Sequence, residues 1–336
     1  MYCQNKYIAV VGCGYWGKNL VRSFAQLGVL RVICDASYTT VKLLSEQFDV
    51  PCVTDFQQVL SLPEVQAVVI ATPATTHADL VMQALAAGKD VFVEKPLALT
   101  LGNALAIQTL ANKSDRLLMV GHLLEYHPAL VTLRQLVADG KLGKLQYLYS
   151  NRLSFGKVRT EENVLWSFAP HDICNILGFT GELPRRIQAF GSSLNTVEDF
   201  CTINLEFADN IKAHIFVSWL HPFKEHRLVV VGDRAMAVFD DVSTDAKLCL
   251  YPQRVEFQGH LPILHKDAKQ IIPLPQAEPL LLECQHFLHC VQNRQQPVTG
   301  IKNGIDVLTV LESAQASLTT HGTIIEIDIR EKCFVS

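Results

Sequence analysis

The sequence has no excess of positive charge, no long hydrophobic run and no closely paired cysteines. Its 336 residues include 29 lysines and arginines against 33 aspartates and glutamates, which gives a formal net charge of −4. The absence of a basic cluster argues against nucleic acid as the main partner. Apolar runs such as residues 67–71 are far too short to cross a bilayer, and residues 1–9 lack the apolar stretch of a secretory signal. We therefore expect a soluble cytoplasmic protein without a membrane or nucleic-acid partner.

Ten cysteines are present, but none form a C-x-x-C pair. A disulfide framework is typical of small secreted chains, so we expect free thiols that pack as small hydrophobic groups. The best local metal candidate combines His286 and His289 with Cys284 and Cys290, and no second cluster of ligands lies nearby. An amphipathic helix explains this spacing, so we expect no metal site.

Two regions with different strand patterns divide the sequence. Over residues 1–120, short apolar runs alternate with helical patterns, which is typical of a parallel sheet covered on both faces. Over residues 121–336, successive strands with alternating polar and apolar positions predominate, and helices flank them. We expect an α/β, doubly wound first domain and an α+β second domain with a mostly antiparallel open sheet.

The first apolar run ends in a glycine-rich turn that is typical of dinucleotide-binding domains. It has the G-x-G-x-x-G pattern, follows a strand and opens a helix. The first glycine permits a tight turn, the second lets the backbone approach a pyrophosphate, and the third lets the helix pack on the strand. The unpaired N–H groups at the helix N-terminus favour phosphate. The predicted cofactor-binding residues of this turn are Gly12, Cys13, Gly14, Tyr15, Trp16 and Gly17.

Asp35, at the end of the second strand, indicates which dinucleotide binds. Its carboxylate can accept hydrogen bonds from the adenosine ribose and repels a 2′-phosphate, and residues 36–38 supply no arginine. This pattern favours NAD over NADP. Residues 1–120 are therefore predicted to form an NAD-binding Rossmann domain.

A second candidate segment follows the third clear strand, at the edge where open α/β sheets bind their ligands. Thr72 and Pro73 are predicted to wall the cofactor there. His77 either caps the next helix or contacts the ligand.

The tripeptide Glu94-Lys95-Pro96 follows the next strand and extends the predicted cofactor site. A lysine at this edge can position the nicotinamide and a substrate hydroxyl. With a lowered pKa it could also exchange protons with the substrate.

Together these motifs resemble the Gfo/Idh/MocA oxidoreductase family, and the resemblance covers essentially the whole chain. The Glu-Lys-Pro element is its most specific part. The resemblance implies a Rossmann domain, a second domain with an open sheet, and reversible hydride transfer between a nicotinamide cofactor and a sugar-like hydroxyl. It also implies that Lys95 is functional and that the Lys95–Pro96 peptide bond is cis.

The second catalytic element of that family is a helical histidine with an aspartate four residues earlier. In the matching segment, residues 166–175, His171 takes the histidine position and Ser167 stands where the family has aspartate. His171 is the candidate base because imidazole titrates near neutral pH. Either the Ser167 hydroxyl orients it or no partner is needed. The alternative is a structural role for His171 near a helix N-terminus, after Pro170.

Four segments are similar to the nucleotide-sugar 3-dehydrogenase branch of the family, which includes UDP-N-acetylglucosamine 3-dehydrogenase. They are residues 121–128, 150–156, 159–163 and 166–172. The resemblance implies oxidation of the sugar C3 hydroxyl to a ketone. An aminotransferase would then act on the product, in the synthesis of lipid A or O-antigen sugars of lipopolysaccharide.

This resemblance also supplies a set of candidate substrate-binding residues. They are Lys95, His122, Tyr126, Arg152, Arg159, Trp166 and His171. Arg152, Arg159 and Lys157 could meet a diphosphate through charge-assisted hydrogen bonds, and the aromatic residues could pack on a ring. Each of them alone is more often a surface cation or a core aromatic residue.

Two alternatives stay open. The substrate could be a UDP-N-acetylglucosaminuronate, inositol or a free sugar. The chain could also be an NAD-binding sensor without catalysis, although the presence of Lys95 argues against that. The second face of the open sheet favours a homodimer or homotetramer.

Overall fold

The computed structural model describes residues 7–156, 158–160, 162–194 and 196–327. Strands and helices alternate as far as residue 121. They are β1 (Ile8–Val11), α1 (Gly17–Gln26), β2 (Leu30–Cys34), α2 (Tyr38–Phe48), β3 (Cys52–Val53), α3 (Phe56–Ser61), β4 (Ala67–Ile70), α4 (His77–Ala86), β5 (Asp90–Glu94), α5 (Leu101–Ser114) and β6 (Leu118–Gly121).

Strands predominate in the rest of the chain, and two long helices come near its end. The elements are α6 (Pro128–Ala138), β7 (Leu145–Phe155), α7 (Val164–Thr180), β8 (Arg186–Ser192), β9 (Phe200–Glu206), β10 (Lys212–Ser218), β11 (Leu220–Gly232), β12 (Met236–Asp240), β13 (Leu248–Tyr251), β14 (Gln253–Gln258), β15 (Leu261–Lys266), β16 (Gln270–Ile271), α8 (Pro279–Asn293), α9 (Ile301–Thr319) and β17 (Ile325–Glu326).

The described residues form two compact units. The first consists of residues 7–126 and 277–308, and the second of residues 127–276 and 309–327. The sequence pattern placed the boundary after residue 120 and assigned everything beyond it to the second domain. In the structure the segment 277–308 belongs to the first unit, because α8 buries Leu280, Cys284 and Phe287 in the core that surrounds β1.

The first unit is built on a six-stranded parallel sheet with the order β3-β2-β1-β4-β5-β6. Four strands, β1, β4, β6 and the apolar part of β5, are fully buried, which explains their almost continuous apolar sequences. The prediction of a doubly wound α/β domain is confirmed. All six strands end at one edge, and the glycine-rich turn, Asp35, Thr72 and Lys95 follow four of these ends.

The second unit is built on a nine-stranded mixed sheet with the order β16-β13-β12-β11-β7-β10-β9-β8-β17. One neighbouring pair, β7 with β10, is parallel, and the other pairs are antiparallel. Helix α7 packs on β7, β9 and β10. The predicted α+β domain with a mostly antiparallel sheet is confirmed, and β14 and β15 form a separate hairpin.

Candidate active site

The glycine-rich turn has the backbone geometry that its sequence predicts. Gly12 has φ +86°, and a Cβ there would lie 2.7 Å from the backbone of Ala71. A Cβ on Gly17 would lie 1.8 Å from the carbonyl oxygen of Gly12, so only glycine allows this helix start. A Cβ on Gly14 would meet nothing within 4 Å, so the backbone there is open to a ligand. The turn therefore fits the pyrophosphate of a dinucleotide.

The Asp35 carboxylate is held beside this turn. Its Oδ2 accepts a hydrogen bond from the backbone N–H of Cys13 at 2.6 Å, and Oδ1 accepts one from Ser37 at 2.8 Å. The hydroxyl oxygen of Ser37 accepts a hydrogen bond from the Thr40 N–H and so caps the N-terminus of α2. A fixed carboxylate without a nearby cationic residue in this loop suits the ribose of NAD.

Glu94 links the loop after β5 to the glycine-rich turn. Its carboxylate accepts a hydrogen bond from the Trp16 indole N–H, and the Cβ position of Gly121 on β6 lies 3.0 Å from it. Burial raises the pKa of Glu94 to about 7, although the Trp16 hydrogen bond and the Lys95 charge act in the opposite direction. This carboxyl can therefore gain or lose a proton near neutral pH.

Lys95 directly follows β5, and its peptide bond to Pro96 is cis, as the family resemblance implies. His77 approaches the same loop from α4, although it is only 1% exposed. Its Nδ1 lies 2.7 Å from the Pro96 carbonyl oxygen, and its Nε2 lies 2.9 Å from the Thr72 carbonyl oxygen. Neither predicted role of His77 matches this geometry, because the ring is buried and makes no helix-capping hydrogen bond. Pro73 is exposed beside Thr72, in keeping with a wall of an open groove.

His122 follows β6, the strand next to β5, and belongs to the first unit. It is 2% exposed, and burial, followed by the charge of Lys95, lowers its pKa to about 3. The imidazole is thus neutral at pH 7 and lies within electrostatic range of Lys95. Tyr126 is different, since its buried hydroxyl pairs with the Thr299 hydroxyl at 3.1 Å. Tyr126 is a core residue of the first unit, not an open platform for a sugar ring.

Glu283 is a buried carboxyl group that sequence reasoning missed. It is fully buried on α8, and among the described residues neither of its carboxylate oxygens has a hydrogen-bond partner. Phe287, one helical turn later, lies 5.6 Å from the ring of Phe92, which is two residues before Glu94. Residues one helical turn apart share a face of the helix, and residues two apart share a face of the strand. Glu283 and Glu94 therefore lie on the faces through which Phe287 and Phe92 pack together. The only sequence signal was an acidic residue on the apolar face of a predicted helix.

The candidate residues of the second unit lie on and beside α7. The helix begins after Asn163, whose side chain accepts the Trp166 N–H, and the Trp166 indole donates to Gln315 at 3.1 Å. His171 is in the middle of this helix and half-buried, with Ser167 one turn before it. The predicted alternative, a position near the helix N-terminus, therefore does not describe His171.

Arg152 and Asp172 form a buried ion pair next to His171. Arg152 Nε donates to Asp172 Oδ2 at 2.6 Å, and Arg152 Nη2 donates to Asp172 Oδ1 at 3.1 Å. The Ser150 hydroxyl also donates to Oδ1. The Arg152 charge is therefore compensated by Asp172, which does not match the predicted contact with a diphosphate. Arg159 pairs with Glu162 in a partly exposed position, and Lys157 lies outside the described residues.

The described residues contain no group of three or more histidine, cysteine, aspartate or glutamate side chains that could hold a metal ion. In the same part of the chain, every helix is too short or too polar to cross a membrane.

Two family models match the chain. The one described as an oxidoreductase family with an NAD-binding Rossmann fold matches residues 6–122, and that of the Gfo/Idh/MocA C-terminal domain matches residues 130–238. The chain therefore belongs to the Gfo/Idh/MocA oxidoreductase family. The match to its NAD-binding Rossmann fold covers residues 6–122.

Similar proteins carry different substrate names. The chain is 24% identical over 248 residues to 2,7-anhydro-N-acetylneuraminate hydratase of Mediterraneibacter gnavus. The aligned part covers 69% of this chain and 66% of the hydratase. It is also 24% identical over 284 residues to UDP-N-acetylglucosamine 3-dehydrogenase of Acidithiobacillus ferrooxidans. This alignment covers 84% of this chain and 87% of that enzyme. A solved structure of the enzyme of that name and organism superposes with a TM-score of 0.84 at 22% identity, over 94% of this chain and 98% of the other. At this identity the superposition shows a shared fold.

Proposed function

We propose that the chain is an NAD-dependent dehydrogenase that oxidises the C3 hydroxyl of UDP-N-acetylglucosamine to a ketone. The observation that carries the proposal is the position of Lys95, directly after β5, on a loop that Glu94 connects to the glycine-rich turn. The similarity to a UDP-N-acetylglucosamine 3-dehydrogenase over 87% of its length supports the choice of substrate.

The roles of the residues follow from their chemistry. NAD, when bound at the glycine-rich turn, accepts the hydride. Lys95 offers a positive charge to the hydroxyl oxygen, on which negative charge develops as its proton leaves. His171 accepts that proton, since a half-buried imidazole is a suitable base near neutral pH. Glu94, whose burial raises its pKa to about 7, interacts electrostatically with the charge of Lys95.

The test is the formation of NADH, followed by absorbance, after UDP-N-acetylglucosamine is added to enzyme and NAD. We expect Lys95→Ala to lower kcat by about 100- to 1,000-fold. His171→Ala should lower it by roughly 100-fold or more. Unchanged turnover in both variants would reject these assignments.

Matched controls are available on the surface of each unit. Lys302 is an exposed lysine on α9 that pairs with Asp306, and His214 is an exposed histidine on β10 that stacks on Tyr149. Lys302→Ala and His214→Ala remove the same side chains away from the candidate site, and both should keep the wild-type kcat.

A substrate panel addresses the specificity. UDP-N-acetylglucosaminuronate, inositol and free N-acetylglucosamine should each give a much lower kcat/KM than UDP-N-acetylglucosamine. A preference for one of them would correct the substrate and keep the enzyme class. Turnover of an anhydro sugar without net formation of NADH would instead favour the chemistry named for the hydratase relative.

We also propose the cellular setting that this reaction requires. A 3-keto nucleotide sugar is a substrate for an aminotransferase, so such an enzyme would act next in lipopolysaccharide synthesis in the cytoplasm. A homodimer or homotetramer would cover the second face of the open sheet. Light scattering of the purified chain should give two or four times the mass of one chain, 37.4 kDa.

A further inference from the structure

His77 contacts two loops of the candidate site although it is only 1% exposed itself. It is the first residue of α4, and its two ring nitrogens lie 2.7 Å from the Pro96 carbonyl oxygen and 2.9 Å from the Thr72 carbonyl oxygen. Thr72 follows β4 and belongs to the predicted wall of the cofactor site. Pro96 is joined to Lys95 by the cis peptide bond.

The chemistry of these contacts assigns the donor. A carbonyl oxygen only accepts hydrogen bonds, so each contact requires an N–H on the imidazole. A neutral ring donates to one of the two carbonyls, and an imidazolium donates to both. Burial, with a smaller contribution from the Lys95 charge, holds the pKa of His77 below its ordinary value, which favours the neutral ring. In either form the ring fills the space between the two loops and donates to at least one of them.

We propose that His77 is a positioning residue for Lys95, which fixes the loop after β5 against the loop after β4. This proposal rests on the proposed function, because it assumes that the placement of Lys95 limits the chemical step. The Pro96 carbonyl is only one residue from Lys95, so a shift of this carbonyl moves the Lys95 backbone as well. A small misplacement of a catalytic group can cost as much as about 100-fold in rate.

The opposite edge of the same sheet offers a matched control. Lys89 directly precedes β5, is 8% exposed, and its Nζ donates to the carbonyl oxygens of Leu62 at 2.9 Å and Val65 at 2.7 Å. Both side chains are buried and bind two backbone carbonyls each. Lys89 does so near the start of β5, and His77 does so near its end. Lys89→Met removes the contacts at the end away from Lys95, so it reports on stability alone.

The experiment compares His77→Phe, His77→Gln and Lys89→Met. For each variant, kcat and KM are measured with UDP-N-acetylglucosamine, NADH affinity by fluorescence titration, and stability by the urea midpoint. We expect His77→Phe to lower kcat by about 10- to 100-fold while KM for the sugar changes much less. His77→Gln keeps an N–H donor and should recover part of this loss. Lys89→Met should lower the urea midpoint at least as much as His77→Phe does, yet keep the wild-type kcat.

Two outcomes would overturn the proposal. In one, a folded His77→Phe variant keeps the full kcat. In the other, Lys89→Met lowers kcat by the same factor as His77→Phe, which would make the effect one of stability.

NADH affinity separates a failure of this proposal from a failure of the proposed function. If the wild type oxidises none of the sugars, the proposed function fails, but the titration still tests His77. We expect His77→Phe to weaken NADH binding by about three- to tenfold and Lys89→Met to leave it unchanged. Equal affinities in these two variants would contradict the role of His77.

Discussion

Burial sets the pKa of Glu94 and His122, two groups close to Lys95 in the first unit, whereas a hydrogen-bonded partner sets the pKa of Asp241 in the second unit. Burial raises the pKa of Glu94 to about 7 and lowers that of His122 to about 3. In the second unit, a hydrogen bond from His226 is the main cause that lowers the pKa of the partly buried Asp241 below its usual range. Asp172 is likewise paired, with Arg152.

This difference in pKa separates residues that can exchange a proton from residues that only hold the structure in place. A buried group whose charge is not fully compensated can change its protonation state when a ligand arrives. In a buried ion pair each charge is already compensated by the other, so the pair fixes the positions of neighbouring residues instead. The following three predictions test this contrast, in order of decreasing effect.

The largest effect is expected from breaking the buried pair of the second unit. The side chains of Arg152 and Asp172 are 12% and 3% exposed, so Asp172→Asn would leave a buried guanidinium without its counter-charge. We expect the free energy of unfolding to fall by about 3–5 kcal/mol, measured by urea denaturation.

The partly exposed pair between Arg159 and Glu162 is the control for this prediction. Glu162→Gln should cost less than about 1 kcal/mol, because solvent screens the pair. Similar losses for Asp172→Asn and Glu162→Gln would show that burial does not distinguish the two arginines.

A smaller, pH-dependent effect is expected at Glu283. Burial, followed by the charge of Glu94, raises the pKa of Glu283 well above its ordinary value of 4.5, so the folded state keeps a proton that the unfolded chain releases. Stability falls with rising pH wherever the folded state binds more protons, here by about 1.4 kcal/mol per pH unit between pH 4.5 and the raised pKa of the folded state. Glu283→Gln removes this loss, so the variant should gain stability over the wild type as the pH rises. Parallel curves of unfolding free energy against pH would show that Glu283 is ionised in the folded protein.

The smallest effect is expected at the cofactor. Asp35→Asn keeps the shape of the side chain but removes the charge that repels a 2′-phosphate. We expect NAD affinity to fall by about 10- to 100-fold and NADP affinity to rise, since a charged hydrogen-bond acceptor is worth about 1.5–3 kcal/mol. Fluorescence titrations with both reduced cofactors measure the ratio. An unchanged preference for NAD would mean that other residues select the cofactor.

The fold of the first unit was predictable because its signals are local. Buried parallel strands produce continuous apolar runs, and Gly17 is required by its contact with Gly12 in the same turn. The two-residue strand β3 was not predicted, because such a short segment has no periodicity. The return of residues 277–308 to the first unit was also missed, since it depends on tertiary packing that no local pattern encodes.

The candidate site was predictable to the extent that the backbone defines it. Asp35 and Lys95 follow strand ends, and the structure places them at the expected edge. The partner of Arg152 could not be found from the sequence, because Asp172 is 20 residues away on another element. The hydrogen-bond partner of the Tyr126 hydroxyl, Thr299, is 173 residues away. Motifs thus predicted positions in the chain better than they predicted the partners of side chains.

We propose that hydride passes from C3 of the sugar to NAD. The most direct measurement uses UDP-N-acetylglucosamine deuterated at C3 of the sugar ring, with mass spectrometry of the NADH that forms. We expect NADH that carries one deuterium at nicotinamide C4. NADH without the label, or no NADH from a folded enzyme that binds both ligands, would contradict it.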